Sequence, residues 1–106
     1  MIYVFASKLC IQDLIINIYR AIRLKPNNTE RTHTYLKPII EYMTGYDKIE
    51  IKAALNELER QNLIITSYDE IKDDIKIIDF TEQGYNEYRS LFTLVDENDL
   101  QKSHLD

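Results

Sequence analysis

Apolar positions along the chain change their spacing several times, and each spacing predicts an element. Ile11, Leu14, Ile15, Ile18 and Ile22 recur every three or four residues, the period of one face of a helix. Ser7 is placed to cap that helix, and Leu24-Lys-Pro26 closes it, because a proline disfavours helical geometry in the residue before it. Pro26–Glu30 has the chemistry of a loop. A second helical set follows in Tyr35, Leu36, Ile39, Ile40 and Met43, with Thr34 as its expected cap and Pro38 near its first turn. Gly45 is expected to end it.

The sequence Asp47-Lys-Ile-Glu50 then has the form of a capping box, followed by the stripe Ile51, Ala54, Leu55 and Leu58 of a third helix, which Asn62 stops. Leu63–Tyr68 and Ile75–Phe80 are rich in β-branched residues and predict two strands. Asp69–Asp74 between them is the tip of a hairpin. Thr81 is placed to cap a last helix carrying Tyr85, Tyr88, Phe92 and Val95 at helical spacings. Beyond Val95 the periodicity stops. The expectation is one mainly helical domain with a small β-hairpin over residues 1–95, and a frayed or disordered acidic tail over 96–106.

Composition agrees with a single folded unit. The 106 residues are 44% hydrophobic and 29% charged, and two glycines and two prolines leave little room for a loop-rich scaffold. Frequent Ile, Lys and Asn suggest an AT-rich genome, as in a low-GC bacterium or a phage. Cys10 has no partner for an intrachain disulfide, which suits a reducing compartment, and its place on an amphipathic helix predicts a buried, inert thiol. No apolar run reaches the length of a membrane span, and the short apolar start Ile2–Phe5 lacks a basic flank. A cytoplasmic protein is expected. The two histidines, His33 and His104, are isolated, and both glycines serve turns, so no enzyme activity, metal site or cofactor is expected.

Net charge is −5, unevenly distributed. Residues 1–37 hold six basic and two acidic side chains, whereas residues 38–106 hold seven basic and sixteen acidic ones.

The stretch Ile39-Ile-Glu-Tyr-Met-Thr-Gly45-Tyr46, with Ile51, Ala54-Leu55, Leu58-Glu59, Leu63-Ile64 and the closing Phe80-Thr-Glu-Gln-Gly84, resembles the winged helix-turn-helix superfamily, in particular the MarR-like and PadR-like regulators. The resemblance covers about half of the chain. It implies a three-helix core with a wing and a C-terminal helix, and a small transcriptional regulator that binds double-stranded DNA. By position, Lys48, Lys52, Ala53, Asn56 and Arg60 would face the major groove, alongside Glu50. Thr34, Tyr35 and Lys37, with Thr32, would meet phosphates, and Lys72 would lie on the wing. Terminal helices pair subunits in many such regulators, so Tyr85, Tyr88, Phe92 and Val95 would form a homodimer interface, and Ile2–Phe5 could join them.

The exposed charges leave other readings open. The hairpin tip carries four acids against Lys72, and the third helix sets Asp47, Glu50, Glu57 and Glu59 against Lys48, Lys52 and Arg60. A winged-helix protein-interaction module using its acidic surface, or an inhibitor whose carboxylates mimic DNA, is the alternative to a regulator.

Overall fold

A computed structural model describes residues 10–23 and 33–105, with side chains through Val95. The predicted Ser7 cap, the Ile2–Phe5 segment, Thr32 and the Pro26–Glu30 loop lie outside those residues. The chain runs α1 (Ile11–Arg23), β1 (Thr34–Tyr35), α2 (Leu36–Tyr42), α3 (Lys48–Arg60), β2 (Ile64–Asp69), β3 (Asp74–Phe80) and α4 (Glu82–Leu105). Among the described residues the fold is therefore mixed α+β, four helices around an antiparallel sheet of order β1-β3-β2.

The first helix buries Leu14, Ile15, Ile18, Tyr19 and Ile22 along one face, as the spacing requires, while Ile11 at its start stays exposed. Cys10 is also exposed, contrary to expectation, because it sits just before the first helical turn rather than on the buried stripe.

The third strand was not foreseen. Thr34 and Tyr35 do not begin a helix; they pair with Ile77 and Lys76 of β3. Tyr35 then serves as the N-cap residue of α2 without giving a side-chain cap. A carboxylate from across the fold does that work, as Asp74 Oδ2 accepts the Lys37 N–H at 3.1 Å. The free donors of a helix start need an acceptor, but it need not be local in sequence.

The short α2 ends at Tyr42, and Gly45 takes φ +93° in the turn that follows. The Tyr46 hydroxyl donates to Asp13 Oδ2 at 2.6 Å, pinning this turn to α1 and so fixing where α3 begins. Asp47 caps α3 as its sequence predicts, its Oδ1 accepting the Ile49 N–H at 2.9 Å. At the other end Asn62 adopts φ +62°, and the N–H groups of Asn62 and Leu63 donate to the carbonyls of Glu59 and Leu58. This is a Schellman closure, sealed by burial of both Leu58 and Leu63.

The last helix is entered through a close contact. Thr81 Oγ1 accepts the Gly84 N–H at 2.9 Å, and the Thr81 N–H donates to the Leu63 carbonyl at 3.1 Å. A Cβ on Gly84 would lie 2.0 Å from that same carbonyl oxygen, so only glycine admits this approach of helix to backbone.

Further along, α4 packs on α1, with the Phe92 and Tyr19 rings stacked at 4.2 Å and Phe80 tilted against Phe92 at 4.9 Å. Phe92 and Val95 are 1% and 3% exposed, which corrects their assignment to a dimer interface: the chain's own core consumes them. The backbone of α4 also continues to Leu105, past the point where fraying was expected. No glycine or proline follows Gly84 to interrupt it.

Candidate functional site

Burial of Ile51, Leu55 and Leu58 rotates α3 so that its opposite side faces solvent. Ile49, Ala53, Asn56 and Arg60 lie along the middle of that outer side, flanked by Lys48 and Lys52, and all six are exposed. Five of them are residues singled out from the sequence for DNA contact. No hydrogen bond or ion pair among the described residues engages the side chains of Lys48, Lys52 or Asn56. Arg60 differs, because it donates from Nε to Glu57 Oε1 at 3.0 Å, and Gln61 also donates to this carboxylate. Both contacts hold the Glu57 carboxyl below its usual range, and Glu57 in turn pushes the Arg60 guanidinium up.

The other expected phosphate contacts divide. Lys37 is exposed and stands near Lys48 and Lys52, although it comes from a different helix. Thr34 is 4% exposed, so the expectation that it meets DNA is corrected: pairing of β1 with β3 has taken it into the interior. Tyr35 is half-buried and its hydroxyl donates to Asp69 Oδ2 at 2.8 Å. Lys72, expected to reach outward from the wing, instead lies with Nζ 5.2 Å from the centre of the Tyr35 ring.

Most of the acids at the hairpin tip have structural occupations that the sequence did not reveal. Asp69 Oδ1 accepts the N–H groups of Ile71 and Lys72 at 3.0 and 3.1 Å, folding the turn on itself. The Tyr35 hydroxyl foremost, and then these N–H groups, hold the Asp69 carboxyl below the usual carboxylate range. Asp73, at φ +51°, accepts from the Tyr68 hydroxyl. The Tyr35 and Tyr68 phenols are pushed up because each donates its proton to one of these carboxylates. Asp74 is 8% exposed and accepts from the N–H of Ile75 as well as that of Lys37. Of the four tip acids, Glu70 alone keeps an exposed carboxyl that no described residue engages.

Between the helices and the hairpin runs an open groove of 730 Å³. Lys37, Lys48 and Lys52 line its helical side, Ile49 and Tyr68 contribute apolar surface, and Asp74 lies at the hairpin side. Ile49 is 72% exposed and Ile71, at the hairpin tip, 95%. Neither was singled out from the sequence. Their signal was present, since Ile49 falls off the buried stripe of α3 and Ile71 interrupts a polar turn. Of the expected dimer stripe, Tyr85 is exposed and Tyr88 half-buried, and burial pushes the Tyr88 phenol up.

No helix among the described residues is long and apolar enough to cross a membrane. No known protein family, curated protein or solved structure matches the chain.

Proposed function

We propose that the chain is a cytoplasmic winged helix-turn-helix regulator that binds double-stranded DNA as a homodimer and reads a pseudo-palindromic site with α3. The element order, the α2–α3 turn and the β1-β3-β2 sheet support the winged-helix reading. The observation that carries the function is the outer side of α3, where Lys48, Lys52 and Asn56 are exposed and unengaged while Lys37 stands beside them. An amide of this kind pairs with an adenine edge, and the lysines suit guanine or phosphate. The hairpin tip stays off the duplex in this proposal, since Lys72 is drawn back to Tyr35 and Glu70 points a carboxylate outward.

Binding to randomised DNA across a salt series tests the proposal. Asn56→Ala should cost about 1–3 kcal/mol and relax selectivity at one base position, whereas Lys52→Glu should weaken binding to every sequence and flatten the salt dependence. Absence of selective binding at low salt would sink the regulator reading. Exposed Ile49, Tyr68 and Ile71 favour a second reading, a protein-interaction module that does not use DNA. That reading gains if the groove substitutions leave DNA binding absent but abolish capture of a protein partner.

A further inference from the structure

The outer side of α3 carries its side chains in a definite order. Ile49, Ala53, Asn56 and Arg60 follow one another at spacings of four, three and four, which keeps them within one narrow strip of the helix. The strip begins apolar. Ile49 is 72% exposed, Ala53 is exposed, and neither belongs to the buried stripe of Ile51, Leu55 and Leu58. Asn56 comes next, with an amide that no described residue engages. Arg60 closes the strip, but its guanidinium is committed to Glu57, with Nε donating to Oε1 at 3.0 Å. The cations lie to one side. Lys48 and Lys52 flank the strip on the edge nearer Lys37, whereas Glu50 and Glu57 fall on the other edge by the helical period. Glu59, further along the lysine edge, accepts the Thr66 hydroxyl at 2.6 Å.

Resting on the DNA-binding reading above, we infer that α3 recognises a run of A·T base pairs through their thymine methyl groups. Ile49 and Ala53 each cover one 5-methyl group, Asn56 holds an adenine edge at a third pair, and the lysine edge takes the phosphates of one strand. Among the bases only thymine presents a methyl group in the major groove, and apolar side chains answer it where hydrogen-bonding ones cannot. From Ile49 to Asn56 the helix rises about 10.5 Å, or roughly three base-pair steps of about 3.4 Å, so the three side chains meet successive pairs. Guanine goes unread on the strip, because the guanidinium that would suit it is bound to Glu57. Glu41, Asp73 and Asp74 share the groove with the lysines, so the strand crosses the lysine edge without entering the groove. In the free chain Ile49 leaves apolar surface in water, and the methyl contact removes it.

Selection from randomised duplexes with the full chain should enrich a half-site whose centre is a run of A·T pairs. The enriched duplex is then remade with deoxyuridine for one central thymine at a time, which removes a 5-methyl group and keeps every hydrogen-bonding group. At two positions binding should weaken about four-fold, the worth of one buried carbon at about 0.8 kcal/mol. Ile49→Ala should lose the preference for thymine at one of these positions and keep it at the other; Ala53→Gly should do the reverse. The thymine-to-uracil ratio is internal to each variant, so any change in helix stability cancels. A core selected for G·C pairs overturns the inference, as does Ile49→Ala that still distinguishes thymine from uracil at both positions. An A·T preference indifferent to uracil also overturns it, since duplex shape is then what is read. Each of these outcomes leaves a sequence-selective regulator standing, whereas absence of selective binding at low salt removes both proposals.

Discussion

Two faces of this small protein treat the same kinds of side chain in opposite ways. Where α4 lies on α1, aromatic residues are consumed: Phe92 stacks on Tyr19, meets Phe80 and leaves almost no surface. Where α2 and α3 face the hairpin, Ile49, Tyr68 and Ile71 remain exposed beside unengaged lysines. A short chain has few apolar residues to spare for solvent. The first face is the working surface in the proposed function and the core around Phe92 its scaffold, although Tyr85 and Leu94 of α4 also keep exposed surface.

The largest effect should come from breaking the scaffold side. Phe92→Ala removes a fully buried ring that three other aromatic rings contact closely, and should lower the unfolding free energy by about 3–5 kcal/mol in denaturant titrations. If the loss is under 1 kcal/mol, roughly that of an exposed site, the contrast between the two faces collapses.

Gly84→Ala comes next. Its methyl group would meet the Leu63 carbonyl at 2.0 Å, which the backbone must relieve by moving α4 away from β2, at a cost of roughly 1–3 kcal/mol. Unchanged thermal stability would show that the entry to α4 is looser than its geometry.

Asp74→Ala acts at the boundary between the faces. It orphans the Lys37 and Ile75 N–H groups, and a loss of about 1–3 kcal/mol is expected. Hydrogen exchange should locate the change at the start of α2.

A weaker probe is acid. The Asp69 carboxyl is depressed in the folded protein, so the stability it contributes is present above the unfolded carboxylate range and lost as pH falls through the folded value. The hairpin should therefore loosen on acidification before the α1–α4 packing does, and Asp69→Asn should remove that part of the pH dependence. A pH profile unaltered by the substitution would assign the acid sensitivity elsewhere.

The smallest effect is expected at the working surface itself. Ile71→Glu should change the unfolding free energy by no more than about 0.5 kcal/mol, because the side chain touches almost nothing within the chain. A larger loss would mean that the tip belongs to the scaffold.

Much of the scaffold was legible in the chain before any coordinates. Helical spacing located α1 and α3, Asp47 and Thr81 announced their caps, and β-branched runs located both hairpin strands, because these signals act over a few residues. The site was legible in part. The exposure of Lys48, Lys52, Ala53 and Asn56 follows from the burial of the opposite side of one helix, which periodicity alone can assign.

Other features depended on partners distant along the chain. Thr34 has the chemistry of a cap, yet β3 offers it a ladder and the interior takes it. Asp74 and Asp69 read as surplus negative charge, yet each answers donors that folding brings to it, among them the Lys37 N–H and the Tyr35 hydroxyl. Phe92 and Val95 lie on a stripe that could face either a partner or α1, and amphipathicity cannot say which surface will cover it. Local spacing and capping thus determined where the elements lie and which side of each is apolar. The tertiary structure alone decided what each apolar side meets and which charges are already answered, because those contacts close over tens of residues.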